Sequence, residues 1–271
     1  MDRYAVIGNP VEHSKSPVIH MEFARQTGQD LEYGRILSPL DAFRDTALSF
    51  RDEGGKGLNV TVPFKLEAFQ LTTTLTSRAR SAEAVNTLKF EQERIIGDNT
   101  DGTGLVRDIQ NNLGIAIERK RVLLLGAGGA AQGVLYPLLD QEPALLVIAN
   151  RTLDRALGMQ RKVEQRDVLN RTVSAQTYES LAGLSFDIII NATSAGLTDS
   201  ALPIPSGIFA ADALAYDMMY GRETPFMQFA RQEGAQVADG LGMLVEQAAE
   251  SFYLWRDVRP DTRPVIDKLR Q

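Results

Sequence analysis

Short apolar runs alternate with longer amphipathic stretches along almost the whole chain. Residues 4–8, YAVIG, form an apolar run closed by a glycine, the pattern of a short buried strand. A helical pattern follows from Pro17 to about Thr27. In GLNVTV (57–62), Val60 and Val62 alternate with Asn59 and Thr61, so a strand is expected up to Pro63, which has no backbone donor for a sheet. AVNTLKFEQERII (84–96) predicts a hairpin with EQER at its turn. NTDGTG (99–104) predicts an Asx- and Gly-rich turn before the helical LVRDIQNNL.

A second series opens at Arg121. RVLLLGAGGAAQGVLYPLLDQ reads as strand, glycine turn and helix, and is followed by the strand ALLVIAN and the helix beginning RTLDRAL. FDIIINATSAG (186–196) and ALAYDMMYG (213–221) predict two further strands. GMLVEQAAESFYLW (242–255) predicts a long amphipathic helix, with Leu244, Ala248 and Trp255 near one stripe. Strands and helices in alternation predict an α/β architecture. The glycine-rich turns near 100–104 and 239–242 are the expected hinges.

With 271 residues, 44% of them apolar, the chain suffices for one large or two ordinary domains. A formal charge of −6 argues against non-specific nucleic-acid binding, which needs a basic face, but leaves room for a few local cations facing a small anion. The absence of cysteine removes disulfides, thiol nucleophiles and thiolate metal sites. The two histidines, His13 and His20, do not form an HExxH pattern, so no metal centre is expected. MDRYAVIGNP carries charge around a short apolar run and is not expected to act as a signal peptide. No stretch approaches the ~18 apolar residues of a membrane span. The expected setting is the cytoplasm, with no membrane or nucleic-acid partner.

Candidate chemistry begins with GAGGAA, where Gly126, Gly128 and Gly129 follow a strand and open a helix, with Ala131 in the third place of a G-x-G-x-x-A pattern. Such a turn lets the backbone approach a pyrophosphate and present helix N-terminal N–H groups to it. The next strand ends at Asn150, Arg151, Thr152 and Arg155, where an NAD site usually carries Asp or Glu. Two guanidiniums and a hydroxyl suit a 2′-phosphate, with Arg151 and Arg155 expected four apart on the first turn of a helix. A capped helix with solvated arginines is the plainer alternative. In NVTVPFK, Lys65 stands two residues beyond the proline; a solvated surface lysine satisfies that heptapeptide equally well. Ser14 and Ser16 in EHSKSP read first as helix caps, and AVNT and NTDG as Asx turns.

Taken together, IGNPVEHSKSP, NVTVPFK, AVNTL, GDNTDGTG, GAGGAAQG, NRT, INATSAG, YDMMYGRETPF and DGLGMLVEQAA resemble the motifs of the shikimate dehydrogenase family, in that family's order and over nearly the whole chain. The resemblance implies reversible NADPH-dependent reduction of 3-dehydroshikimate to shikimate in aromatic amino-acid biosynthesis. It implies two α/β domains with the active site in the cleft between them. One is a Rossmann-type NADP-binding domain, 103–236. The other is a discontinuous substrate domain with a mainly parallel sheet, 1–102 plus 237–271. Carried over by motif, Lys65 and Asp101 are the catalytic pair. Ser14, Ser16, Thr61, Asn86, Tyr220 and Gln247 hold the substrate. Gly126, Ala127, Gly128, Gly129, Ala130, Asn150, Arg151, Thr152, Arg155, Met218 and Gly240 line the cofactor site. The chain departs from the pattern at Ser77, where many relatives carry an acidic residue near the cofactor. A monomer or homodimer is expected.

The residue types suit that chemistry. Hydride delivery to a ketone builds negative charge on oxygen, which an ammonium can neutralise and protonate. A carboxylate beside it supplies the counter-charge, and Ser, Thr, Asn and Gln match a polyol. A quinate/shikimate dehydrogenase of broader cofactor or substrate use, a non-catalytic ligand-binding module of the same fold, and a generic nucleotide-binding reductase remain alternative readings.

Overall fold

The computed structural model describes residues 1–166, 173–195 and 200–271. The chain divides into two compact units, residues 1–105 with 244–271, and residues 106–243.

The first unit is built on a six-stranded sheet. Its strands are β1 (Asp2–Gly8), β2 (Leu31–Leu37), β3 (Gly55–Val60), β4 (Thr74–Leu75), β5 (Thr87–Glu91) and β6 (Arg94–Asp98), in the order β2-β1-β3-β5-β6-β4. β1 runs parallel to β2 and β3, and β4 parallel to β6; only β5 is antiparallel to its neighbours. Crossover helices α1 (Ser16–Thr27) and α2 (Phe43–Asp52) lead from β1 to β2 and from β2 to β3, while α3 (Lys65–Leu71) and α4 (Ser77–Ala82) precede the β5–β6 hairpin.

Helices cover both faces, so the central strands are buried on both sides. Ala5, Ile7, Leu58 and Val60 pack with Phe43, Phe64 and Ala68 from α2, α3 and the turn before α3. Tyr4 and Val6 face the other way, among Ile19 and Phe23 of α1, Phe252 and Trp255 of α9 (Leu241–Arg256) and Val265 of α10 (Arg263–Arg270). Gly57 lies on this second face, where a Cβ would run into the Trp255 indole. The indole nitrogen passes that gap to donate to Leu88 O at 3.0 Å.

The second unit carries a wholly parallel sheet. It comprises β7 (Arg121–Leu125), β8 (Leu145–Ala149), β9 (Val173–Gln176), β10 (Phe186–Asn191), β11 (Phe209–Asp217) and β12 (Gln236–Asp239), in the order β12-β11-β10-β7-β8-β9. The chain winds outward from β7 one way and then, from β10, the other. That is the doubly wound nucleotide-binding order, with its switch point between β7 and β10. Helices α6 (Gly129–Leu139), α7 (Leu153–Arg166) and α8 (Pro225–Gln232) connect the strands. α8 starts sharply because Pro225 is fixed for a first helical turn and Thr224 caps it, accepting from Met227 N.

Several expected boundaries move. β3 ends at Val60, so Thr61 and Val62 belong to the turn around Pro63. Asp101 opens a helix, α5 (Asp101–Arg107), so residues 101–104 are helical, and α5 runs into a π-helical turn at Asp108–Asn112. Both passages between units, after Leu105 and after Met243, therefore fall inside α5 and α9, not in the glycine turns expected as hinges. The return to the first unit, expected at 237, comes after Met243, because β12 pairs with β11. β11 stops at Asp217, so Met218 and Tyr220 lie beyond the strand. Gly196, the end of INATSAG, lies outside the described residues.

Candidate active site

In the first unit, Lys65 and Asp101 each open a helix. Phe64 N donates to Thr61 O at 3.0 Å, closing the turn that leads from β3 into α3. Asn99 makes the expected Asx turn, its Oδ1 accepting from Asp101 N at 3.2 Å, and so sets Asp101 at the start of α5, where a carboxylate complements the positive end of the helix. Lys65 Nζ lies 2.5 Å from Asp101 Oδ2. The side chains keep 29% and 12% of their exposure, so the pair is shielded but reachable. The other carboxylate oxygen, Oδ1, accepts from Asn86 Nδ2 at 2.8 Å. The same amide group reaches Gln247 Oε1, on α9, at 3.3 Å. Lys65, Asp101, Asn86 and Gln247 thus form one connected polar group.

The remaining residues of the first unit sit around it less directly. Ser16 is the first residue of α1, and neither serine caps that helix; Ser14 Oγ accepts from Ser16 N at 3.3 Å and donates to Ser16 Oγ at 3.2 Å. Arg35 fixes the same loop by donating to Ser14 O at 2.7 Å. Thr61 is half-buried, its N–H donating to Ile7 O at 3.0 Å. None of Ser14, Ser16 and Thr61 hydrogen-bonds Lys65 or Asp101 among the described residues. Ser77 is exposed, one residue past Thr76, whose side chain caps α4. Among the described residues no cluster fit to hold a metal ion exists.

In the second unit, β7 runs into Gly126 at φ +106°, a left-handed conformation that an L side chain resists; a Cβ there would also lie 3.1 Å from Ala192 O, across the switch point. Ala127 is buried behind the turn, while Gly128, Gly129 and Ala130 are exposed at the N-terminus of the eleven-residue α6. No acidic residue stands in the first turn of α6, and the space where Cβ atoms of Gly128 and Gly129 would project is open. This arrangement fits a pyrophosphate. After β8, Asn150 Nδ2 donates to Thr152 O at 2.8 Å and ties the loop. Arg151, Thr152 and Arg155 are exposed. α7 begins at Leu153, so Arg151 lies in the bend before the helix and Arg155 in its first turn. The expected placement of both on one turn does not hold. The acid of this segment, Asp154, stands in the first turn of α7.

Beyond β11, Met218 N donates to Asn191 O at 3.0 Å and Gly240 N to Met219 O at 2.8 Å, so the tip of β11 is tied to β10 and to the entry of α9. Tyr220 belongs to this tip; it is half-buried, and burial pushes its phenol above the usual pKa.

Known proteins of the same shape and sequence decide what this geometry belongs to. A relative from Methylobacillus flagellatus named shikimate dehydrogenase (NADP(+)) is 62% identical over 100% of this chain and 99% of its own. The chain belongs to the shikimate dehydrogenase family. Models of that family match along it: the shikimate dehydrogenase substrate binding domain over 6–88, shikimate / quinate 5-dehydrogenase over 108–198, and the shikimate 5′-dehydrogenase C-terminal domain over 240–270. Among solved structures, an Ael1 enzyme from Pseudomonas putida is similar at TM-score 0.93 and 52% identity, covering 99% of this chain and 98% of that one. The shikimate 5-dehydrogenase of Thermus thermophilus, in complex with NADP(H) and shikimate, is similar at TM-score 0.87 and 30% identity, covering 100% and 99%.

Sequence reasoning missed the residues that support those of the shikimate dehydrogenase motifs. Asn59, Thr87, Thr100 and Ser251 are buried and hydrogen-bonded around Asn86. Asp217 is fully buried and accepts from Asn191 Nδ2, Thr224 Oγ1 and Met219 N at 3.0, 2.5 and 2.9 Å, fixing the tip that bears Met218 and Tyr220. The only signal for Asn59 was a polar residue in a strand whose neighbouring positions are apolar or glycine.

Proposed function

We propose that this chain reversibly reduces 3-dehydroshikimate to shikimate with NADPH, in the cytoplasm, as a monomer or homodimer. The observation that carries the reading is the ion pair of Lys65 and Asp101 at 2.5 Å, flanked by the amides of Asn86 and Gln247, in a member of the shikimate dehydrogenase family. In this reading the first unit holds the polyol and the second the dinucleotide.

Lys65, paired with Asp101, donates a proton from Nζ to the ketone oxygen as negative charge develops there; in reverse it receives the proton of the hydroxyl. Asp101 aligns the ammonium and accepts from a ring hydroxyl. Asn86 and Gln247 turn amide groups towards the same place, and Ser14, Ser16, Thr61 and Tyr220 bind the remaining hydroxyls and the carboxylate. NADPH supplies the hydride when bound. Gly126, Ala127, Gly128, Gly129 and Ala130 would receive its pyrophosphate, Asn150, Arg151, Thr152 and Arg155 its adenosine 2′-phosphate, and Met218 and Gly240 would line the cofactor site.

The test is cofactor absorbance with shikimate or quinate, each against NADP or NAD. Shikimate with NADP is expected to be the best pair. Turnover of quinate at a rate equal to shikimate supports the broader quinate/shikimate reading instead, and a folded protein with no turnover of either rejects the enzymatic one.

A further inference from the structure

One chain of hydrogen bonds behind Asp101 runs head to tail from Tyr33, with Ser251 Oγ beside it donating to Gln247 O at 3.1 Å and lying 2.8 Å from Thr87 Oγ1, where either hydroxyl can donate. Tyr33, whose ring is buried against His20, has a hydroxyl that donates to Asn59 Oδ1 at 2.7 Å. Asn59 Nδ2 therefore faces the hydroxyls, donating to Thr87 Oγ1 at 3.2 Å and Ser251 Oγ at 3.0 Å. Thr87 Oγ1 donates its proton to Asn86 Oδ1 at 2.9 Å. Asn86 Nδ2 donates to Asp101 Oδ1 at 2.8 Å, and the other oxygen of Asp101 accepts from Lys65.

The direction is not arbitrary. An amide side chain has nearly the same shape either way round, so its partners decide its orientation. For Asn86 two partners are unambiguous: Thr100 N, at 2.9 Å from Oδ1, can only donate, and the ionised Asp101 can only accept. That orientation leaves Oδ1 as the acceptor facing Thr87; with the Thr87 proton given to it and Ser251 Oγ donating to Gln247 O, the Thr87 oxygen is an acceptor that matches the Asn59 NH2. Tyr33, Asn59, Thr87, Asn86 and Asp101 are buried, and donors that line up head to tail in a low dielectric polarise one another.

We propose that Thr87 and Asn59 are positioning residues for the Lys65–Asp101 pair, acting through Asn86, so that the core of the first unit sets the orientation and polarity of the reacting carboxylate. The inference rests on the reading of Asp101 as a catalytic residue. None of Tyr33, Asn59, Thr87 and Ser251 stood among the site residues named from the sequence.

The test uses the full chain and the single-turnover rate of hydride transfer with shikimate and NADP. Thr87→Val keeps the volume, removes the proton given to Asn86, and leaves that oxygen its bond from Thr100 N. It should slow the chemical step about fivefold, the effect of the one hydrogen bond lost at Asn86, with the KM for NADP unchanged. Thr87→Ser should restore the rate. In an Asp101→Ala background, Thr87→Val should change the rate by less than about 1.5-fold, because the group it positions is gone. If Thr87→Val lowers the melting temperature but leaves hydride transfer as in wild type, or if it slows Asp101→Ala by the same factor as wild type, the relay is structural only and the proposal is wrong. A full-rate Asp101→Ala enzyme instead overturns the catalytic reading beneath it. Tyr33→Phe, which removes the first donor and keeps the ring, gives the same cycle independently should Thr87→Val fold poorly.

Discussion

Acid should destabilise the first unit through His20. The ring is buried, stacked on Tyr33 at 4.3 Å between centroids and 4° between planes, and 5.3 Å from Trp255. Neither ring nitrogen has a hydrogen-bond partner among the described residues. Burial therefore pushes its pKa from 6.5 down to about 3, with only a smaller opposing effect from the Asn59 side chain. In the unfolded chain His20 takes up a proton below about 6.5; in the fold it resists one until about pH 3. Stability present above pH 6.5 is thus lost as pH falls from 6.5 towards 3. At roughly 1.4 kcal/mol per unit the whole gap is on the order of 5 kcal/mol, and the part between pH 7 and pH 4.5 about 3 kcal/mol. Carboxylates titrate in the same range, so the comparison needs a variant, and His20→Phe keeps the stacking while removing the titration. Trp255, the single tryptophan, lies in α9 of the first unit and reports its unfolding by fluorescence. Urea midpoints at about pH 7, 6, 5 and 4.5 should show wild type losing about 3 kcal/mol more than His20→Phe. A wild-type-minus-variant difference constant with pH to within about 0.5 kcal/mol would refute the neutral buried ring.

Lys65→Ala should lower kcat by roughly a hundredfold or more with KM for shikimate within about tenfold, and combining it with Asp101→Asn should cost much less than the product of the two effects; a kcat above half of normal restores the solvated-lysine reading. Arg151→Ala should weaken NADP by about tenfold or more and leave NAD nearly unchanged, with added salt eroding the wild-type preference; near-equal kcat/KM for the two cofactors in wild type would reject the arginine reading. A fragment of residues 106–243, which keeps all six strands of the second sheet, should fold and bind NADP without binding shikimate. Residues 1–105 alone lack Phe252 and Trp255 and should give no cooperative melt by calorimetry.

What could be read in the sequence was what repeats a local rule. The glycine turn after β7, the strands β7, β8, β10 and β11 of the second unit and the tight turn of the β5–β6 hairpin follow from patterns a few residues long, whereas β9, β12 and α8 were not expected. The helical start at Asp101 was hidden by Gly102 and Gly104, which read as turn residues; in α5 the Asx turn of Asn99 and the Asp101 charge open the helix in spite of them. β2 escaped notice because one side of this edge strand is exposed and its apolar positions are interrupted by Gly34 and Arg35. The relay behind Asp101 was illegible for a different cause: Asn59, Asn86, Thr100 and Ser251 come from four separate stretches of chain, and a buried asparagine has the same letter as a solvated one.

Burial also explains why one acidic residue and not another is read as reactive. Asp98 is fully buried and gripped by Arg78 through two nitrogens at 2.7 and 2.5 Å, and the same guanidinium reaches Glu250 at 2.9 Å. Burial works against the charge on Arg78, but Asp98 and Glu250 more than offset it, so its pKa is raised and the guanidinium keeps its proton. A planar guanidinium satisfied on two sides has no proton to lend at working pH. Asp217 is buried with neutral donors and serves to fix a loop. The Lys65–Asp101 pair differs from both. Its cation is an ammonium, a point charge on a flexible stem that can surrender a proton, and 29% of the lysine side chain still meets solvent. Lys65→Arg therefore separates charge from proton transfer. It should keep the ion pair with Asp101 and the fold, yet leave kcat no better than Lys65→Ala, and an arginine variant with more than about a tenth of wild-type kcat would mean that Lys65 acts by charge alone.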